Sequence, residues 1–213
     1  MDRSPITTTS VGLLRDTLVP SISLHSGLSI IAYTAARTTS RVELKDWLWP
    51  SGQVLNAWWA ALGRPTRFDP ELLLAAFQRL PWDEQLLLFE VTAWGLRLFY
   101  RIASRSISRG KDDPRYEELK KQPGFWNKEF FAEFLPEAVF QTLITIPFTA
   151  VFRDIGPVAP PEYAGVIHGA AVGIFAAGFA METLADVQIE RHKKENRRGL
   201  VRQGVWSVVR HPK

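Results

Sequence analysis

Residues 164–181, AGVIHGAAVGIFAAGFAM, run without an interruption into ETLADVQIERHKK at 182–194, and the junction decides the fold. The first part carries no charged side chain and approaches the roughly 20 residues that a helix needs to cross a hydrocarbon layer. Gly165, Gly169, Gly173 and Ala177 recur at intervals of four. On a helix this spacing lines small side chains along one stripe, where another helix backbone can approach closely in lipid. A basic run directly after such a segment marks cytoplasmic juxtamembrane sequence or contact with anionic lipid. A soluble protein would have to bury the same helix in its core, which all-apolar helices in large cores do.

Upstream, four more apolar segments can be marked. Residues 11–36 carry Arg15, Asp16, Pro20 and His25, so the second half of that segment is the more lipid-compatible one. Residues 47–62 hold Trp47, Trp49, Trp58 and Trp59, a residue type that favours the membrane interface. Residues 85–102 and 130–152 complete the set. Between the second and third, residues 70–80 place Leu72, Leu73, Leu74, Phe77 and Leu80 on a broad apolar face, as in a short helix lying along a membrane surface. The expected fold class is therefore all-α, a multi-pass transmembrane helical bundle of about five spans plus an interfacial helix.

Charge orients that bundle. Residues 101–128 contain eight Lys/Arg and residues 182–213 another eight, whereas the loop between the fourth and fifth spans contains one. The positive-inside rule puts both rich segments in the cytoplasm, and the two intervening spans give the parity this needs. The net charge of +4 is concentrated in the tail, where residues 190–213 hold eight Lys/Arg against two Glu. No nucleic-acid fold motif accompanies that basicity, so nucleic acid is not the expected partner. The chain has no cysteine, which removes disulfides and thiolate metal sites, and no metal is expected. The start, MDRSPITTTS, lacks the basic and apolar regions of a removable signal peptide.

Chemistry is concentrated near the end of the chain. Glu182 and Asp186 are four apart and share a face if the helix continues past Met181. Such a pair can orient a ribose hydroxyl or a basic side chain, move a proton, or simply solvate a helix end. The arginines that follow suit phosphate, because a guanidinium forks onto two oxygens at once. No glycine-rich dinucleotide fingerprint opens a helix, so any nucleotide would be held another way.

The ordered series Glu182-x-x-x-Asp186-x-Gln188, Asn196-Arg197, Gly204-x-Trp206 and Arg210-His211-Pro212 resembles the DUF1295 family, which is grouped with the steroid 5-alpha-reductase-like membrane proteins. Trp94-Gly95-Leu96-Arg97-Leu98, the connector Gly110-Lys111-Asp112-x-x-Arg115-Tyr116, and Asp46-Trp47 resemble the family's earlier motifs. The likeness covers residues 46–212, giving a membrane domain over 46–213 preceded by an N-terminal helix and connector over 1–45. It implies a multi-pass endoplasmic-reticulum protein with a cytoplasmic C-terminus, among membrane lipids, that uses NADPH to reduce a carbon-carbon double bond in a lipid or steroid-like enone. Hydride would go to the beta carbon while a protein acid polarises the carbonyl or protonates the enolate. By that likeness Asp186, Asn196, Arg197, Trp206, Arg210 and His211 line the nucleotide site, and Glu90, Tyr100 and Tyr116 are candidate proton donors.

Family members continue after Arg-His-Pro with Asn-Tyr and further apolar helix, whereas Lys213 stands here. Weakened NADPH binding is the expectation if the chain stops there. The alternatives are an isoprenylcysteine-type methyltransferase, which uses S-adenosylmethionine and a similar Arg-His-Pro motif, and a non-catalytic membrane scaffold or lipid-binding relative. The series from Glu182 to Gln188 favours the reductase.

Overall fold

A computed structural model describes residues 10–63, 69–152, 161–195 and 199–209. Helices and no strands occur among them. The chain divides into two compact units, Met1–Gly156 and Pro157–Lys213.

In the first unit, α1 (Leu14–Thr39) begins with a π-helical turn at Leu14–Leu18 and ends where Ser40 takes a left-handed conformation, φ 56°. A 3-10 segment, Val42–Trp47, leads into α2 (Leu48–Trp58), whose last turn widens into a second π-helical stretch at Trp59–Gly63. Helix α3 (Pro70–Arg79) starts on an Asp69 cap that accepts the Glu71 N–H, and α4 (Trp82–Arg109) stops at Gly110, φ 67°. The short α5 (Pro114–Lys120) and α6 (Phe125–Glu129) precede a third π-helical turn, Phe130–Phe134, and α7 (Leu135–Thr149). Helix α2 packs against α4, and α1 against α7. Gly95 on α4 lets the first pair close, since a Cβ there would lie 2.3 Å from Val54 Cγ2.

The distribution of side chains in this unit is inverted relative to a protein in water. Ser21, His25 and Ser29 of α1, Gln53 and Asn56 of α2, and Gln141, Thr142, Thr145 and Thr149 of α7 are buried between helices. Ile30, Ile31, Leu55, Phe89, Leu96, Phe140, Leu143 and Ile144 face outward. Water drives the opposite sorting, so this surface suits an apolar solvent. Among the described residues, two clusters of buried apolar side chains stand out. One joins Ala32, Ala36, Val42, Tyr116, Phe125 and Phe134; the other joins Ala57, Ala61, Leu62, Leu80 and Leu88 and receives Leu73, Ala76 and Phe77 of α3.

The second unit consists of α8 (Pro161–Lys194) and a tail that ends in one helical turn, α9 (Val205–Val208). Helix α8 continues well past Met181, so Glu182 and Asp186 do share a face.

Among the described residues two helices, Leu14–Thr39 and Glu162–Lys194, are long and apolar enough to cross a membrane. They correspond to the first and fifth expected spans. The middle three do not reach that length and hydropathy. Helix α2 and its π turn are described only as far as Gly63, α4 mixes Glu90, Arg97 and Arg101 into its apolar face, and the helical run through the π turn Phe130–Phe134 into α7 carries Glu129, Glu133 and Glu137.

Candidate functional site

Charge is collected at two places, one in each unit. In the first unit it surrounds the connector after α4. The Asp112 carboxylate is buried and accepts the backbone N–H groups of Val42 at 2.9 Å, Glu43 at 3.0 Å and Asp113 at 3.0 Å, with Lys120 Nζ at 2.9 Å. Burial alone would raise its pKa, but those N–H groups and the ammonium outweigh burial and hold it below the usual carboxylate range. Glu43, also buried, accepts Arg41 at 2.5 Å, the Ser106 hydroxyl at 2.7 Å and Arg109 at 2.8 Å.

Arg115 joins Asp113 and Asp46, each at 3.0 Å, and the Tyr116 hydroxyl donates to Asp46 at 3.2 Å. Burial opposes ionisation of Asp113, yet the Arg115 bonds prevail and bring it to about 2. Burial, reinforced by the Asp46 charge, holds the Tyr116 hydroxyl far above its ordinary value. Lys45 pairs with Glu133. Nearby Glu129 is 5% exposed and its carboxyl is raised to about 7, first by burial and then by the Glu133 charge. Through Glu43, Asp112, Asp113 and their cationic partners the connector acts as a clamp between α4, α5 and the 3-10 segment.

In the second unit the tail folds back on the last turns of α8. Trp206 Nε1–H donates to the Ala185 carbonyl at 3.2 Å, and the Val205 N–H donates to Gln188 Oε1 at 3.2 Å. His192 Nε2 lies 3.2 Å from the Gly199 carbonyl. Residues 185, 188 and 192 lie on one stripe of α8, which is why three successive contacts can receive the tail. Gly204 makes the approach possible in two ways. Its φ of 63° is left-handed, and a Cβ would sit 2.3 Å from the Gln188 side chain. The fold-back creates a cleft of about 810 Å³, whose wall includes Leu200, Val201 and Trp206 beside His192, Lys193 and Arg202. A second cleft of about 360 Å³ lies against Gln188, Arg191, His192 and Glu195.

The family model of DUF1295, described as a protein family of unknown function, matches residues 32–213. The chain belongs to the DUF1295 family. No characterised protein matches it, and no solved structure does.

The motifs of this DUF1295 chain separate physically. Asp46, Gly110, Asp112, Arg115 and Tyr116 belong to the clamp, and Gly95 to the α2–α4 contact. Gln188, Gly204 and Trp206 instead build the tail cleft. Of the residues expected around a nucleotide, Asp186 is buried on α8 one residue from Ala185, the acceptor of the Trp206 indole. Trp206 lines the larger cleft. Asn196, Arg197, Arg210 and His211 lie outside the described residues.

The three expected proton donors also divide. Tyr116 is committed to Asp46 in the clamp, Tyr100 is 75% exposed, and Glu90 is half-buried on α4. Three further residues contribute: His192, Lys193 and Glu129. In the sequence His192 and Lys193 belong to the basic run, and their helical register with Gln188 is legible there. The four-residue step from Glu129 to Glu133 is a local pattern, but the burial of Glu129 is a tertiary fact that no local spacing carries.

Proposed function

We propose that this chain is an integral membrane protein that holds NADPH in the tail cleft beside α8 and serves the reduction of a carbon-carbon double bond in a lipid or steroid-like enone. The observation that carries this reading is the composition of the cleft. Apolar and aromatic groups from Leu200, Val201 and Trp206 share one space with the cationic side chains of Lys193 and Arg202. A dinucleotide presents flat rings and several phosphates, which call for that combination. The volume falls in the range of roughly 300–1,000 Å³ usual for small-molecule sites.

The membrane part of the proposal is supported by the two long apolar helices and by the inverted burial of the first unit. The charge pattern favours a tail that faces the cytoplasm, and the resemblance to steroid 5-alpha-reductase-like proteins favours the endoplasmic reticulum. The resemblance to steroid 5-alpha-reductase-like proteins supplies the reaction class. NADPH, when bound, provides the hydride; Lys193 and Arg202 would neutralise phosphate and Trp206 would offer a ring face, while the resemblance alone assigns Asp186 to a ribose hydroxyl. A methyltransferase using S-adenosylmethionine would occupy the same place, but that cofactor has no phosphate and is itself cationic at sulfur. The lysine and arginine therefore favour the anionic nucleotide.

Thermal unfolding of the detergent-solubilised full chain tests the proposal. NADPH is expected to raise the midpoint by about 3 °C near tenfold saturation, and stopped-flow or steady-state absorbance should show NADPH consumption with a simple enone. Protection by S-adenosylmethionine alone would replace the reductase with the methyltransferase. No response to either would leave a non-catalytic membrane protein.

A further inference from the structure

Between α1, α2 and α7 lies a polar space that the nucleotide cleft does not use. At one end of it is a cavity of about 10 Å³, whose walls include Asp16, Thr17 and Ser21 of α1, Asn56 of α2 and Thr149 of α7. A space of this size holds one water or one small ion. Asn56 is fully buried, and neither its amide oxygen nor its amide nitrogen has a hydrogen-bond partner among the described residues. The Thr17 hydroxyl, 3% exposed, lacks one too. Polar groups sequestered in this way call for an occupant, and more so where the surroundings are apolar.

The backbone at this place is also unusual. Asp16 and Thr17 sit in the π-helical turn Leu14–Leu18, and the π-helical stretch Trp59–Gly63 supplies the opposite wall. Widened turns weaken the regular carbonyl pairing and collect at functional sites. The donors gathered here are oxygens: one carboxylate, three hydroxyls and one amide carbonyl. The Thr149 hydroxyl gives its proton to the Thr145 carbonyl at 2.8 Å, which leaves its oxygen as an acceptor.

We propose that this cavity is a binding site for a monovalent inorganic cation of sodium's size, ligated by Asp16, Thr17, Ser21, Asn56 and Thr149. Oxygen donors select hard cations. A single carboxylate balances a single positive charge, which sets this site apart from the multi-carboxylate cages of calcium. Irregular helix segments within a membrane domain are where coupling ions are held in transporters. Arg15 acts as a competitor. Its guanidinium bonds both Asp16 oxygens at 3.0 Å, while its own side chain is 73% exposed and therefore able to leave. The ion and Arg15 are alternative partners of the same carboxylate. The site lies in the first unit, and its existence does not depend on the nucleotide reading.

The test is the thermal unfolding midpoint of the full chain in detergent, with sodium chloride compared with choline chloride at equal ionic strength. The expected result is a rise of about 3 °C in sodium at concentrations near tenfold saturation. Arg15→Ala should lower the sodium concentration for half-maximal effect by about tenfold, because it removes a charge-assisted pair. Asp16→Asn should abolish the response. A midpoint indifferent to sodium in both wild type and Arg15→Ala would overturn the proposal and leave a bound water only. A sodium response that persists in Asp16→Asn would overturn it as well. Should Asp16→Asn fail to fold, Thr149→Val keeps the shape without the hydroxyl and is expected to raise the half-maximal sodium concentration about fivefold; an unchanged value contradicts the site.

Discussion

The connector around Asp112 and the tail after α8 are both rich in charge, yet they use it differently. In the connector, Glu43, Asp112, Asp113, Arg109, Arg115 and Lys120 hold one another and the backbone. In the tail, backbone and side-chain amides do the holding, through Gln188 and the Trp206 indole, and Lys193 and Arg202 border a cleft. Charge spent on closing a clamp is unavailable to a ligand. A string of matched motif residues can therefore be architecture in one place and binding surface in another, and the hydrogen-bond partners decide which.

The comparison breaks first at Asp112. Asp112→Ala strands three buried N–H groups and takes one partner from the Lys120 ammonium, which keeps Ser40 and Glu117, and a loss of about 3–5 kcal/mol is expected, read as unfolding of the first unit at low denaturant. A loss below about 1 kcal/mol would mean that the clamp is not structural. Next in size, Gly204→Ala adds a Cβ against Gln188 at a left-handed backbone position. Displacement of the tail is expected, with NADPH affinity falling at least tenfold, or roughly 1.4 kcal/mol, while the unfolding of the first unit stays unchanged. Equal damage to both would erase the distinction between the two regions.

Smaller effects sharpen it. Trp206→Phe keeps an aromatic face and removes one hydrogen bond, to Ala185, so a cost of about 1 kcal/mol in tail docking is expected from hydrogen exchange at residues 199–209. Glu129 tests the clamp's surroundings by pH. Its carboxyl titrates at about 7 in the folded chain against the ordinary 4.5. Because the folded value is raised, the protonated form is the one that favours folding. That contribution is complete below about pH 4.5 and is lost as pH rises through about 7. Glu129→Gln should flatten the fall of the unfolding midpoint across that window, and an unaltered slope would assign the fall to other groups.

Much of this was legible beforehand, for physical reasons that differ by region. The 18 uncharged residues at 164–181 and the four-residue step from Glu182 to Asp186 are local patterns, and α8 realises both. Gly110 ending α4 and Asp113 capping α5 are likewise local. Of the five expected spans, the first and fifth are matched by helices long and apolar enough to cross a membrane, while apolar content averaged over α4 conceals how charges and apolar residues share one helix. The polar interior was not legible. Thr17, Ser21, His25 and Ser29 repeat every four residues, which marks one face of α1, but only the packing of α2 and α7 against it shows that this face is inside. His25 read from sequence as a defect in an apolar span; buried beside Gly52 and Gln141, it belongs to the interior.

The central claim is that the tail cleft, and not the connector clamp, receives the phosphates. Calorimetric titration of NADPH into the detergent-solubilised full chain tests it most directly, with Arg202→Ala and Arg115→Ala measured beside the wild type. Arg202→Ala is expected to weaken binding about tenfold and leave stability unchanged, as removal of one charge-assisted phosphate contact does. Arg115→Ala is expected to lower stability and leave the Kd unchanged. Saturable binding that is lost with Arg115 and indifferent to Arg202, or no binding by the wild type, would contradict the claim.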